Sequence, residues 1–306
     1  MQLDERASRL KGIFSIAVTP FHKDGAFDFA GLAEHIERVI SLGYDGLLIG
    51  GTYGEFPVMT TQERAELFRR SMDAANKRVP VLLCSASSDL RVVRELTELA
   101  SDLGGIPMIT PPFVSEITDG QIAQFFADIT HHSRTGIVIY NAPGIGITLS
   151  APLMEKIDVP GVNGIKQGDL TPSVIDALAG RLRGRLRLFC ASDLAFLGPM
   201  AAGFDGISST NGCALPSLIL QSYRAIERGD LKTGGELHRA WYPLREVVRR
   251  RGQPQTTKAA MNAQGFKGGS VRPPLRDLEG AALEEIDQAL KEIAANPVVK
   301  ASARAA

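Results

Sequence analysis

Eight times between Lys11 and about Arg228, a short and mostly apolar run is followed by a stretch with helical periodicity. That alternation restricts the chain to folds built on a parallel sheet. The runs cover residues 13–18, 46–49, 79–84, 106–109, 136–140, 162–166, 186–190 and 206–209. They are continuous rather than alternating with polar residues, the pattern of strands buried on both faces. Eight strand–helix units in a 306-residue chain predict a closed (β/α)8 barrel, a TIM barrel of the α/β class. An open, doubly wound sheet is the alternative. No Gly-x-Gly-x-x-Gly follows the first run, which weakens a dinucleotide-binding reading. Helices are expected over 27–42, closed by Gly43, over 61–75, with Thr61 as N-cap, and over 193–202, among others. No further strand is evident after Gly229. Helices over 231–249, 256–264 and 283–294 predict a barrel of residues 1–228 and a C-terminal helical extension, 229–306, packed on it, with 300–306 frayed.

Charge and cysteine usage narrow the function classes. Thirty-four basic residues balance thirty-four acidic ones, so no overall field favours nucleic acid or an anionic membrane. The run Arg249-Arg250-Arg251 reads as a solvated helix end. Cys84, Cys190 and Cys213 lie far apart without Cys-x-x-Cys spacing, which fits neither a disulfide framework nor a zinc site. Residues 1–11 hold no apolar signal core, and no run approaches membrane-spanning length. A reduced, cytoplasmic compartment is the expectation. His131, His132 and His238 fall in helical patterns away from the strand ends and read as surface or packing residues.

In such barrels, chemistry sits at the C-terminal ends of the strands. Lys166 ends the sixth run, in Gly164-Ile165-Lys166-Gln167-Gly168-Asp169. Burial disfavours the charged lysine, and a neutral amine attacks ketones to form a Schiff base; a lysine that simply reaches water at a strand end is the plainer reading. The second run leads into Gly50-Gly51-Thr52-Tyr53-Gly54-Glu55, a turn able to hold a small carboxylate or merely to reverse the chain. Tyr140-Asn141-Ala142-Pro143 ends the fifth, where a tyrosine next to a neighbouring strand's lysine could relay protons or just pack. Ala191-Ser192-Asp193 and Ile207-Ser208-Ser209 end the last two and offer backbone and hydroxyl contacts.

Thr19-Pro20-Phe21, Gly51-Thr52-Tyr53-Gly54-Glu55, Tyr140-Asn141-Ala142-Pro143, Gly164-Ile165-Lys166 and Ala191-Ser192-Asp193 occur in the order seen in the dihydrodipicolinate synthase / N-acetylneuraminate lyase family, as do the late segments Lys258-Ala259-Ala260-Met261 and Val271-Arg272-Pro273-Pro274-Leu275. The resemblance spans nearly the whole chain. It implies a Schiff-base lyase, an aldolase or dehydratase, usually a homotetramer, that needs no cofactor or metal. The Schiff-base lysine would be Lys166 and the proton-relaying tyrosine Tyr140. The carboxylate-binding turn would be Gly51, Thr52 and Tyr53, and Ser208 would supply a backbone contact to the keto acid. The substrates implied are pyruvate or another 2-keto acid and an aldehyde or sugar-acid partner. Three positions depart from the family pattern. Ile145 stands where the synthases carry an arginine that grips a second carboxylate. Phe113, in Pro111-Pro112-Phe113, stands where a tyrosine reaches a neighbouring subunit. Tyr53 replaces a threonine in the turn. Ile145 and Ile147 predict a distal pocket of low polarity. A true dihydrodipicolinate synthase and a non-catalytic keto-acid sensor are the alternatives.

Overall fold

The computed structural model describes residues 5–305. A helical turn, α1 (Glu5–Ser8), precedes eight units: β1 (Gly12–Ile16) and α2 (Phe29–Leu42); β2 (Gly46–Ile49) and α3 (Thr61–Ala75); β3 (Val81–Cys84) and α4 (Leu90–Asp102); β4 (Ile106–Ile109) and α5 (Asp119–Thr130); β5 (Ile137–Asn141) and α6 (Ala151–Lys156); β6 (Val162–Gln167) and α7 (Pro172–Leu182); β7 (Arg187–Cys190) and α8 (Leu197–Ala201); β8 (Gly206–Ser209) and α9 (Pro216–Glu227). The strands run parallel, each beside its sequence neighbour, and β8 returns to pair with β1 through Gly12↔Gly206 and Ile13↔Ile207, closing the barrel. The (β/α)8 expectation holds.

Strand parity divides the core in two. Ile13, Leu47, Leu83, Ile139, Leu188 and Ile207 belong to the cluster shared with the helices. Phe14, Leu48, Leu82, Met108, Val138 and Phe189 form a second cluster that fills the barrel. Each such side chain, withdrawn from water, contributes about 1.5–3 kcal/mol. Phe14 and Phe189 meet edge to face, with centroids 4.9 Å apart. Glycines make room for them. A Cβ on Gly46 would stand 2.4 Å from the Phe14 ring, and one on Gly206 would stand 2.2 Å from the Gly12 carbonyl oxygen. This apolar plug fills the middle of the barrel, and Tyr140 and Lys166 stand above it at the C-terminal ends of the strands.

Local signals set most boundaries, with four differences. The N-cap of α3 is Thr60, not Thr61: its hydroxyl accepts from the Glu63 amide while the Glu63 carboxylate accepts from the Thr60 amide, a reciprocal capping box. Helix α8 is shorter than expected because Asp193 is drawn into bonds with the β8 loop. The single helix expected over 231–249 is two, α10 (Leu231–Ala240) and α11 (Tyr242–Arg251). The break falls at buried Trp241, and Pro243, tolerated only in a helix's first turn, starts the second. The chain continues through α12 (Gln255–Ala263), α13 (Ala281–Ala295) and α14 (Pro297–Ala305), so 300–305 are helical where fraying was expected; Ala306 and residues 1–4 lie outside the described residues. Helix α10 packs on α9, and α13 on α11. Arg249, Arg250 and Arg251 pair with Glu246 and Glu285. All three cysteines are buried and free. No helix among the described residues is long and apolar enough to cross a membrane.

Candidate active site

The inward parity that places Val138 also places Tyr140 at the C-terminal end of β5, and the β5–β6 register sets Lys166 directly beside it. The Lys166 ammonium nitrogen lies 4.1 Å from the centroid of the Tyr140 ring. Lys166 is only 3% exposed, and among the described residues it forms no ion pair. Burial pulls its pKa down to about 8, because the lost hydration of the charged form outweighs what the nearby Cys84 and Cys190 return. The Tyr140 hydroxyl shares a 2.9 Å hydrogen bond with the Thr52 hydroxyl. Burial holds that phenol well above its ordinary range despite the bond, so it keeps its proton at neutral pH.

The β2 turn brings Thr52 within reach. Gly50 adopts φ +62°, a left-handed conformation that glycine takes without strain. The Gly51 carbonyl accepts from the Gly54 amide at 2.9 Å, and the Thr19 hydroxyl donates to the Gly54 carbonyl at 2.7 Å. The turn ends at Glu55, itself left-handed at φ 64°. Its carboxylate accepts from the Lys258 Nζ at 2.5 Å and from the Arg272 amide at 2.9 Å. Both side chains of this ion pair are 1% exposed, and Lys258 also donates to the Ser270 carbonyl at 2.6 Å. Segments far along the chain thus hold the turn in place. Sequence reasoning missed this pair. Its one local signal is a lysine within an apolar helical pattern.

Two further buried networks shape the mouth. Asn141 accepts from the Leu149 amide and donates to the Leu149 carbonyl and to Gln167, tying down both ends of the loop that carries residues 142–148. Asp193 accepts from the Ser209 hydroxyl at 2.6 Å and from the amide and side chain of Asn211, while His238 bonds its carbonyl. Burial pushes the Asp193 carboxyl up, against those hydrogen bonds. His238 is a packing residue, as expected; the role of Asp193 as a brace between the β7 and β8 loops was not foreseen.

Lys166, Tyr140, Thr52 and Tyr53 converge on a cavity of about 260 Å³, with Ala142, Pro143, Gly144, Ile145, Gly168, Ala191 and Ser192 completing its wall. Two larger cavities, about 820 and 890 Å³, lie where the C-terminal helices meet the barrel, one beside α9 and the other beside residues 21–23, and neither touches these groups. Not every expected site residue reaches the cavity. Gly51 shapes the turn without lining it, and the Ser208 hydroxyl donates to the Cys190 carbonyl at 3.3 Å within the barrel. Ile145 forms part of the wall, whereas Ile147 packs on the outer core. Phe113 is 48% exposed.

The sequence profile of the dihydrodipicolinate synthetase family matches residues 9–293. The 4-hydroxy-tetrahydrodipicolinate synthase 2 of Halalkalibacterium halodurans is 29% identical over 269 residues, covering 86% of this chain and 91% of that protein. A dihydrodipicolinate synthase structure from Thermotoga maritima superposes with a TM-score of 0.87 at 25% identity, covering 93% of this chain and 98% of that one. CdNal from Clostridium difficile, solved with mannosamine, shares the fold at a TM-score of 0.87 and 20% identity, covering 93% and 99%. The chain belongs to the dihydrodipicolinate synthetase family and is a lyase.

Proposed function

Starting from that membership, we propose that the protein is a Schiff-base lyase in which Lys166 captures pyruvate or a closely related 2-keto acid. The observation that carries this is a buried lysine with no acidic partner, set in register against a tyrosine whose hydroxyl is held by Thr52. The neutral amine adds to the keto carbon and water leaves, forming an iminium that draws electrons from the neighbouring carbon. Tyr140 and Thr52 form a hydroxyl pair able to carry the proton to and from the departing oxygen. In this reading Thr52 and Tyr53, which line the cavity, receive the keto-acid carboxylate, while Gly51 only shapes their turn and Ser208, bonded to the Cys190 carbonyl, acts from behind the wall. We further propose a cytoplasmic homotetramer or homodimer, with residues 229–306 acting as an extension that braces the barrel.

Borohydride reduction with pyruvate, followed by peptide mass spectrometry, tests the reading. A pyruvyl adduct on Lys166, absent from Lys166→Ala, is expected; an adduct elsewhere, or none, overturns it. The curated relatives' names favour a second reading, 4-hydroxy-tetrahydrodipicolinate synthase. Turnover of pyruvate with aspartate semialdehyde would establish it. Against it stands a cavity wall in which Lys166 is the one charged side chain among the described residues.

A further inference from the structure

Resting on the Schiff-base reading, we propose that the partner substrate is a short, uncharged aldehyde with an apolar chain. Beyond the groups that meet the keto acid, the wall of the cavity is Ala142, Pro143, Gly144, Ile145, Gly168 and Ala191, with Ser192 supplying its one side-chain hydroxyl among the described residues. That hydroxyl oxygen already accepts from the Leu194 amide at 3.1 Å. Among the described residues Lys166 is the only cation in the wall, and the imine engages it. Asp193, next to Ser192, is turned away into Ser209 and Asn211, and Arg245 is directed at the Leu194 carbonyl and His238.

A carboxylate on the partner would therefore leave water with no countercharge to meet it. A polyhydroxylated chain would exchange several hydrogen bonds to water for one hydroxyl partner. An alkyl chain gives up no hydrogen bonds of its own on entering and gains contact with Ile145 and Pro143. Size bears on length rather than polarity: about 260 Å³ lies below the ~300–1,000 Å³ usual for small-molecule sites, which favours a short partner beside the keto acid.

The chemistry balances without another reactant. The iminium loses a proton from the carbon next to the former carbonyl, and the enamine forms a C–C bond to the aldehyde carbon. The aldehyde oxygen takes up a proton and becomes a hydroxyl. Water then hydrolyses the iminium, releasing a 4-hydroxy-2-keto acid and restoring the Lys166 amine. The reverse sequence is the cleavage.

The test uses the full chain with pyruvate and, separately, butanal, succinate semialdehyde or glyceraldehyde, following hydroxy-keto acid formation by mass spectrometry. Butanal is expected to exceed both others in kcat/KM by about 100-fold, the discrimination a site achieves when a rival's polar groups go unpaired. Ile145→Arg places a guanidinium in the wall and should reduce the margin over succinate semialdehyde at least about tenfold. Equal or better use of succinate semialdehyde or glyceraldehyde overturns the proposal. So does failure of every aldehyde while borohydride still traps pyruvate on Lys166, an outcome that leaves the Schiff-base reading standing. Loss of trapping removes that reading and this one together.

Discussion

Among the described residues two lysines are almost completely removed from water, and their surroundings are opposite. Lys166 has a tyrosine ring and no acid beside it; Lys258 has the Glu55 carboxylate 2.5 Å away. Burial lowers the pKa of both, but at Lys258 the ion pair with Glu55 works against it. The difference teaches that burial alone does not make a lysine reactive. What matters is whether the protein supplies an anion in place of the water that burial removes. Where it does, the side chain fastens two distant segments together. Where it does not, the proton leaves easily and a nucleophile remains.

The comparison can be broken most forcefully at Lys258. Lys258→Met leaves Glu55 buried without its cation and should destabilise the fold by about 3–5 kcal/mol, read from denaturant midpoints. Adding Glu55→Gln should return most of that loss; if the double variant is no better than the single, the pair is not what holds the turn. A smaller effect follows from titration. The Lys166 amine becomes available as pH rises through about 8, so the initial rate of pyruvate trapping should rise roughly tenfold per unit below that value and level off above it. A rate still climbing at pH 10 would mean that Lys166 behaves as an ordinary solvated lysine. The smallest effect is expected at Tyr53, which lines the cavity as a half-buried phenol that burial pushes up. Tyr53→Phe should weaken keto-acid binding severalfold and leave the Lys166 pH profile in place, measured as KM against kcat. No change in either would make Tyr53 a packing residue.

These contrasts also separate what the sequence discloses from what it hides. The eight strands are legible because burial on both faces leaves continuous apolar runs, and Lys166 stands out as the charge at the end of one. Strand order puts β5 beside β6, and the register of that ladder, shifted between Ile137 and Val138, then sets Tyr140 opposite Lys166. Glu55 and Lys258 are 203 residues apart, and no local period links them. Asp193 reads as a helix start because acids favour that position, yet its carboxylate serves Ser209 and Asn211 across the barrel rim. The break at Trp241 is hidden because helical periodicity runs on through Pro243. Thr60 and Thr61 are both good caps, and only the reach of Glu63 selects between them.

The pairing of β1 with β8 has a consequence for biosynthesis. Ile13 meets Ile207, so the first strand leaves the ribosome with one edge unpaired and keeps it so until nearly 200 further residues have been made. Glu55 waits longer still, in water, for Lys258. A ribosome-bound chain that already carries the proposed groups Lys166, Tyr140 and Thr52 therefore still lacks the segments that close the barrel and brace the turn, which emerge late in translation.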